Sequence, residues 1–557
     1  MTYGIGRRIL GATLASLLTV GLALTPSAQA APPPAGTVSA GPSVSIDGLD
    51  KVLTPRTRFT MAADGSSGLR ADGAGIPNID SVKATVRTYY AASSAGIADK
   101  VSSPYITELT KVLARKAEQL PALYRAAKSK GGGKPAIVLD ADDTTLWTYD
   151  MEDAAMHFTF DPVLQDVYVQ GQRFPAVPGM VDFVKAAQRN GFAIFGLTGR
   201  NDDQKAATVA NLAKVGYSAF TTNNFFTKWT GVGASQQPSY IHCAAAKCTT
   251  VEYKAGTRAH IQALGYRIAL NVGDQFSDLQ GGSSLTTLKL PNPTYYLPSA
   301  DLPGLSEPRL APRTHFTMKP DGSSGATQGG EGIPNIDSVK STIRTYYGAD
   351  ATGIANKVSS PYITELTRLT RTVTPALTAA CRTAKRFGVK PALVLDADDT
   401  SLWTYDMEDA AMHFTFDPAL QDVYVQQQRF PATPGMVALA NAASNAGCTI
   451  IGLTGRNDGQ RTATLGNLAQ VGFSGYSDAH YFTKWTGVGA SQQPAYIHCA
   501  AVKCTTVEYK SQTRAYVQTT AGGGYTVLAN MGDQFSDLLG GHAIVPIKLP
   551  NPTYYLP

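Results

Sequence analysis

The sequence predicts an α/β protein of two tandem Rossmann-like domains, each a mostly parallel sheet flanked by helices. Short apolar runs alternate with helical patterns along the chain, which favours parallel strands joined by helices. Several of these runs end in clusters of polar residues, as buried parallel strands do at the edge where ligands bind. The whole pattern occurs twice, because residues 54–61 match 311–318 and residues 289–298 match 548–557.

The repeat sets the predicted domain boundaries. The chain has 557 residues, which is too long for one core, and each copy has about 245, which is far longer than a solenoid repeat. We expect a first domain at 52–298, a short proline-containing linker at 299–308 and a second domain at 309–557. The net charge of +6 and the lack of a basic run do not favour a nucleic-acid polymer as partner.

The first 30 residues have the pattern of a secretory signal peptide. Arg7 and Arg8 precede an apolar run at 9–24, and Ala28 and Ala30 form a small-residue cleavage site. Residues 31–51 then form a Pro/Gly/Ser-rich flexible lead-in. We expect secretion without membrane attachment after cleavage, through either the general or the twin-arginine route. A membrane anchor is the alternative, but the apolar run is short.

Six cysteines fit an exported protein with disulfides. Cys243 and Cys248 recur as Cys499 and Cys504, and each pair could close a tight loop. Cys381 and Cys448 occur only in the second copy, and we expect them to pair with each other. A metal site at His242, Cys243 and Cys248 is the alternative, but it lacks a second ligand pair at the usual spacing.

Within the first copy, helix and strand patterns alternate in order. Ser103 and Pro104 are a good helix start, as N-cap and first helical residue. The residues that follow give one apolar face: Ile106, Leu109, Val112 and Leu113. Strands are predicted at 136–139, 192–197, 267–272 and 287–290, with helices between them such as 181–189 and 203–215.

The strand at 136–139 ends in Asp140 and Asp142, followed by Thr144, which would brace the turn. Clustered carboxylates repel one another unless a cation lies among them, so this sequence indicates a divalent metal. One carboxylate could attack phosphorus, and the other could protonate the leaving oxygen and later deprotonate water. The alternative is an acidic cap on the following helix.

Three further clusters follow in order. Thr198 ends the next strand, where its hydroxyl and nearby N–H groups could hold phosphoryl oxygens. Lys254, with Arg258 one helical turn later, could neutralise the nucleophile and the phosphate. Asp274 and Asp278 are hard oxygen ligands suited to Mg²⁺. Each cluster is weak evidence alone, and their order is the strong signal.

In this order the clusters resemble the motifs of the haloacid dehalogenase (HAD) superfamily of phosphohydrolases. The likeness is closer to the class B (subfamily IIIB) acid phosphatase group, which includes plant vegetative storage proteins. The segments that carry it are 174–179, 197–200, 211–217, 253–258, 273–279 and 289–296, and nearly all recur in the second copy.

The resemblance implies a role for each matching residue. Asp140 would be the nucleophile, Asp142 the general acid/base, and Thr198 and Lys254 the phosphate clamps. Mg²⁺ would be held by the Asp140 carboxylate, the Asp142 carbonyl and Asp274, with Asp278 close by. The second copy has the same set: Asp396, Asp398, Thr454, Lys510, Asp533 and Asp537. Its lysine-to-acid spacing is three residues longer, in a predicted turn at 519–524.

The second aspartate favours phosphate ester hydrolysis over dehalogenation, because an alkoxide leaving group needs a proton and a halide does not. The segment 146–162 is too short for more than a small cap, so we expect an open site for small-molecule phosphate monoesters. Its aromatic and imidazole side chains could stack on a substrate or pack the entrance loop: Trp147, Tyr149, His157 and Phe158. Lys228 and Trp229 are a second candidate rim.

These patterns together predict a secreted, Mg²⁺-dependent acid phosphatase with an active site in each repeat. One alternative is a storage or binding protein with a relic site. Another is a phosphotransferase that uses an alcohol in place of water.

Overall fold

The structure, a computed structural model, describes residues 76–129, 132–228, 237–297, 300–305, 333–484 and 493–556. The predicted signal peptide and lead-in lie outside these ranges. The described residues form two compact units. One unit contains the first repeat together with 333–343, and the other begins at Arg344 and contains the rest of the second repeat.

The first unit has a five-stranded, all-parallel sheet in the order β3-β2-β1-β4-β5. Its strands are β1 (Lys134–Leu139), β2 (Ala193–Leu197), β3 (Phe225–Phe226), β4 (Tyr266–Gly273) and β5 (Thr286–Lys289). Its helices are α1 (Ile79–Tyr89), α2 (Pro104–Glu118), α3 (Leu120–Ser129), α4 (Pro162–Gln170), α5 (Met180–Arg189), α6 (Lys205–Lys214), α7 (Thr250–Ala263) and α8 (Phe276–Leu279). A π-helical turn, Met151–Ala155, follows β1.

The second repeat has the same sheet, in the order β10-β9-β6-β7-β8. Its strands are β6 (Lys390–Leu395), β7 (Thr449–Leu453), β8 (Tyr481–Phe482), β9 (Tyr525–Gly532) and β10 (Val545–Lys548). Its helices are α9 (Ile336–Tyr347), α10 (Pro361–Arg386), α11 (Pro418–Gln426), α12 (Met436–Asn445), α13 (Arg461–Gln470), α14 (Thr506–Gln518) and α15 (Phe535–Leu538). The predicted α/β fold with two parallel sheets is confirmed.

Local sequence explains the elements that position the site. Ser103 caps α2, since its hydroxyl accepts a hydrogen bond from the Ile106 N–H at 3.2 Å. Strand β1 is buried from its second residue onward and lies in the middle of the sheet. A continuous apolar run is what a strand covered on both faces requires. The acids that follow β1 therefore stand at the centre of the carboxyl edge.

Helix α9 begins in the unit of the first repeat. The Ile336 N–H donates to the Pro293 carbonyl at 2.9 Å, and the Asn335 side chain donates to the Tyr295 carbonyl at 2.6 Å. The compact unit thus extends beyond the first repeat to include 333–343. The division of the chain at 299–308 stays a prediction.

All six cysteines form disulfides, and the predicted pairing of Cys381 with Cys448 is confirmed. Cys381 lies on α10, before the acid-bearing strand, and Cys448 immediately precedes β7. The metal interpretation of Cys243 is wrong, because this thiol is bonded to Cys248. Across the described ranges, every helix is too short or too polar to cross a bilayer.

Candidate active site

The candidate site of the first repeat is centred on Asp140, directly after β1. Lys254, on the second turn of α7, donates to Asp140 Oδ1 at 2.8 Å and to Asp278 Oδ1 at 2.5 Å. All three side chains are buried. The other oxygen of Asp140, Oδ2, accepts no hydrogen bond from any described residue. One oxygen of this carboxylate is therefore fixed and the other faces the site.

Asp142 is held by an arginine from the loop after β2. Arg200 donates through Nη2 to Asp142 Oδ1 at 2.5 Å and through Nε to Oδ2 at 3.1 Å. The Arg200 side chain is 1% exposed and that of Asp142 is 19% exposed. Arg200 is fixed in turn, since its Nη1 donates to Thr208 Oγ1 at 2.8 Å. A two-point contact of this kind sets the orientation of the carboxylate as well as its charge.

Asp274, directly after β4, has an asymmetric set of partners. Its Oδ2 accepts hydrogen bonds from Gln275 Nε2 at 2.9 Å, from Asn292 Nδ2 at 2.8 Å and from the Tyr295 hydroxyl at 3.1 Å. Among the described residues, its Oδ1 accepts only from Thr144 Oγ1, at 3.1 Å. Oδ1 thus keeps capacity for a ligand, while Oδ2 holds the side chain in place.

Gly273 makes room for the second acid of this cluster. A Cβ at this position would lie 2.4 Å from the Cβ of Asp278, so a larger residue would displace that side chain. Asp278 lies in the first turn of α8 and caps the start of that helix, because its Oδ2 accepts the Gln275 N–H at 2.9 Å. The glycine brings Asp278 close enough to share Lys254 with Asp140.

Buried negative charge exceeds positive charge in this site. Burial raises the pKa of Asp140. Lys254 acts to lower this pKa, and the neighbouring acids act to raise it further. Burial, followed by the charge of Asp274, raises the pKa of Asp143 to about 8. Burial alone would lower the pKa of Lys254, but Asp140 and Asp278 outweigh it and raise that pKa. A further cation would relieve the repulsion among these acids.

The donor set fits a hard divalent cation. One carboxylate oxygen from each of Asp140, Asp274 and Asp278 lies within 4.8 Å of the other two. Mg²⁺ prefers oxygen ligands and binds through few carboxylates, keeping several waters. Asp140 Oδ1 and Asp274 Oδ1 each accept one hydrogen bond from a described residue, so each keeps a lone pair for the ion.

The second repeat reproduces this geometry. Lys510 donates to Asp396 Oδ1 at 2.8 Å and to Asp537 Oδ1 at 2.6 Å. Arg456 contacts Asp398 at 2.6 Å, and Asp396, Asp533 and Asp537 again bring oxygens within 4.8 Å of one another. The three extra residues lie in the turn between α14 and β9, as predicted, and leave the site unchanged.

A cavity of about 630 Å³ opens over Asp140 and Asp142. Lys228 and Lys247 line it together with Lys254, and both of the other lysines act electrostatically on Lys228. Other parts of the wall are apolar or acidic: Met151, Phe158, Phe160 and Leu297 are apolar, and Glu152, Asp166 and Asp337 are acidic. The cavity has room for a phosphate group and for a leaving group beside it.

The aromatic residues predicted at the entrance divide into two groups. Trp147 and Tyr149 are buried and pack against Tyr90 and Tyr105; the Tyr90 and Tyr149 rings stack at 4.1 Å. Phe158 lines the cavity, and its backbone has the left-handed φ of 59°. For Trp147 and Tyr149 the packing interpretation holds, because neither ring reaches the cavity.

The remaining candidates have the following places. Thr198 is buried; its hydroxyl accepts the Arg200 N–H at 3.2 Å, and its neighbour Gly199 lines the cavity. Its role as a phosphate clamp, like that of Thr454, stays a prediction. Arg258 donates to the carbonyls of Asp278 and Gly282 and braces the loop after β4. Trp229 lies outside the described residues.

Sequence reasoning gave no role to several residues that build the site. Arg200 stood within a quoted motif, and Asn292 and Tyr295 stood within the repeated segment 289–298. They recur in the second copy as Arg456, Asn551 and Tyr554, and this recurrence was the sequence signal that could have found them. In the structure these three residues contact the acids of the second site at similar distances. Asp143 and Glu152 recur too, but burial cannot be read from recurrence.

The fold and the site define an α/β protein of the haloacid dehalogenase type. The profile of the HAD superfamily, subfamily IIIB (acid phosphatase), matches residues 82–298 and 351–557, which is well over half of the chain. The chain belongs to this family. The predicted resemblance is thereby confirmed.

Curated plant proteins are similar to parts of the chain. A stem 28 kDa glycoprotein of Glycine max is 36% identical over 140 residues, which cover 25% of this chain and 50% of that protein. Acid phosphatase 1 of Solanum lycopersicum is 27% identical over 186 residues, covering 31% and 67%. Vegetative storage protein 1 of Arabidopsis thaliana is 25% identical over 176 residues, covering 29% and 59%. The match thus spans about half the length of the first of these relatives.

A solved class C acid phosphatase from Bacillus anthracis is also similar. It is 20% identical and superposes with a TM-score of 0.28, over 39% of this chain and 86% of its own.

Proposed function

We propose that the chain is a secreted, Mg²⁺-dependent acid phosphatase that hydrolyses small phosphate monoesters, with one active site in each repeat. The observation that supports this most is the duplicated constellation of an aspartate with one free oxygen, a lysine shared between two acids, and an arginine on the neighbouring aspartate. It occurs with contact distances that agree within 0.1 Å in both repeats. A site that had lost its function would not be expected to retain these contacts in both repeats.

In the first step Asp140 Oδ2 attacks the phosphorus atom. Lys254 holds the other oxygen of this carboxylate, so the attacking atom is oriented and its negative charge is balanced. The bond from phosphorus to the leaving oxygen breaks, and Asp142 gives that oxygen a proton. An aspartyl-phosphate and a free alcohol result.

In the second step Asp142 takes a proton from water, which attacks the aspartyl-phosphate. The bond between phosphorus and Asp140 breaks, which restores the carboxylate and releases inorganic phosphate. Arg200 positions Asp142 for both proton transfers through its two-point contact. The partial exposure of Asp142 lets it exchange protons with solvent.

Asp140, Asp274 and the Asp142 carbonyl would hold the Mg²⁺ ion, with Asp278 close by. The ion supplies charge that offsets the phosphoryl oxygens and the repulsion among the acids.

The test is the paired substitution Asp140→Asn with Asp396→Asn, assayed for phosphate release from an aryl phosphate with Mg²⁺ and with EDTA. We expect the double variant to lose at least about 10³-fold in kcat, and each single variant to keep the activity of the other site. Asp182→Asn, an exposed acid on α5, is the matched control and should leave turnover unchanged. Full activity in the double variant would refute the proposal.

A storage or binding function is the second candidate, and the similarity to vegetative storage protein 1 is what favours it. It predicts that the wild-type chain with Mg²⁺ releases no phosphate from several aryl and alkyl esters. Adding glycerol to the same assay and measuring glycerol phosphate tests transfer to an alcohol.

A further inference from the structure

The first cavity has a wall contributed by the second repeat. Residues 333–343 belong to the same compact unit as the first repeat, and Asp337 lines the cavity over Asp140. Lys340, one turn further along α9, donates from Nζ to the Phe158 carbonyl and, at 3.2 Å, to Thr159 Oγ1. Because Phe158 also lines the cavity, Lys340 fixes that part of the wall.

The same segment also contacts another part of the wall. Asp337 Oδ2 accepts the Tyr296 N–H at 3.1 Å, and Asn335 donates to the Tyr295 carbonyl at 2.6 Å. Tyr295 lines the cavity and reaches Asp274 through its hydroxyl. The start of α9 therefore contacts two chain segments that form the site.

Lysines and acids both line the cavity. Lys228 lies beside the phosphate end, because its N–H donates to the Arg200 carbonyl at 2.7 Å and it is within electrostatic reach of Lys254. Glu152 and Asp337 line the cavity too: burial first, and then Asp143, Asp337 and Asp142, raise the pKa of Glu152, and Lys340 lowers it. A substituent on the leaving group that reaches this part of the wall would meet acidic side chains.

We propose that Asp337, a residue of the second repeat, determines the specificity of the first active site by favouring phosphate monoesters with a cationic leaving group over those with an anionic one. The inference rests on the proposed phosphatase function. It assigns Asp337 no part in bond breaking. A negative carboxylate at the leaving-group wall attracts a positive substituent and repels a negative one.

The test uses the full chain carrying Asp396→Asn, so that turnover reports the first site. The probes are phenyl phosphates with a trimethylammonium or a carboxylate group in the para position, with 4-nitrophenyl phosphate as the neutral reference. Asp337→Asn should lower the cationic-to-anionic ratio of kcat/KM about fivefold, a size typical of one partly exposed charge. The neutral ester reports any general change in the site, and Asp337→Glu should restore the ratio.

Two controls separate this effect from a general disturbance. Asp80→Asn changes the matching residue of the first repeat, which does not line the cavity, and should leave the ratio unchanged. Asp337→Asn in a chain with Asp140→Asn, where only the second site works, should also leave the ratio unchanged.

Turnover with an unaltered ratio in Asp337→Asn would overturn this inference alone. Absence of turnover in both the wild type and the Asp396→Asn chain would overturn the proposed function and the inference with it.

Discussion

Replacing Lys254 with Met should destabilise the first unit strongly, because it leaves two buried carboxylates without their shared cation. Lys254 lies 2.8 Å from Asp140 and 2.5 Å from Asp278, and its side chain is 3% exposed. Removing one partner of a buried ion pair costs about 3–5 kcal/mol. In a unit of this size each kcal/mol lowers Tm by about 2–4 °C, so the expected loss is about 6–20 °C.

The assay is thermal unfolding of the full chain in EDTA, followed by calorimetry at pH 7.5 and pH 5. The pKa of Asp140, already raised by burial, rises further once Lys254 is gone, since this lysine lowers it. A protonated acid needs no cation, and the loss should therefore shrink at pH 5. Adding Mg²⁺ at pH 7.5 should recover part of the lost Tm.

Lys228→Met is the matched control, because Lys228 lines the same cavity and makes no ion pair with a described residue. Its effect on Tm should stay within about 2 °C. A Lys254→Met loss of Tm that is equal at both pH values, or no larger than that of the control, would refute the reasoning.

Three further predictions follow from the contacts described above. Arg200→Met should lower kcat/KM of the first site at least about tenfold in steady-state assays, because Asp142 loses its two-point contact. Arg200→Lys should recover little of this activity, because an ammonium group does not make the planar two-point contact. The unfolding free energy of the EDTA-treated chain should fall as pH rises from about 4 to about 8. Burial raises the pKa of Asp143 to about 8, so in this range the native state holds a proton there that the unfolded chain has released. Each acid whose pKa is raised in this way contributes a slope of up to about 1.4 kcal/mol per pH unit. Urea unfolding across this range, with and without Mg²⁺, tests it, and a flat or rising profile without Mg²⁺ would contradict it. Joint Cys381→Ala and Cys448→Ala substitution opens a loop of 67 residues and should cost the second unit about 4 kcal/mol, which calorimetry would show as one lowered transition.

The positions of the main strands could be predicted because the signal is local. Strand β1 is a continuous apolar run, and β4 covers the predicted 267–272 with one extra residue at each end. The proximity of Asp140 and Asp278 followed from topology, since the carboxyl ends of the neighbouring parallel strands β1 and β4 share one edge. Lys254 reaches both acids from α7. The two-residue strand β3 was missed because so short a pairing has no periodicity of its own.

The surroundings of the acids were harder to predict, because they depend on side-chain direction and burial. The pattern of Trp147 and Tyr149 is the same whether the rings face a substrate or the core, and only packing against Tyr90 and Tyr105 decides between the two. Arg200 could equally have met a phosphate, and the contact with Asp142 depends on how the loop after β2 turns.

Asp337 shows why the sequence repeat is not the whole functional unit. Alignment of the two copies assigns Asp337 to the second domain, where it matches Asp80, but in the structure it lines the cavity of the first. A fragment of residues 52–298 would keep Asp140 and its partners yet lose Asp337 and the lysine that holds Phe158. Such a fragment should therefore select among esters differently from the full chain, and the specificity of the first site has to be measured with residues 333–343 present.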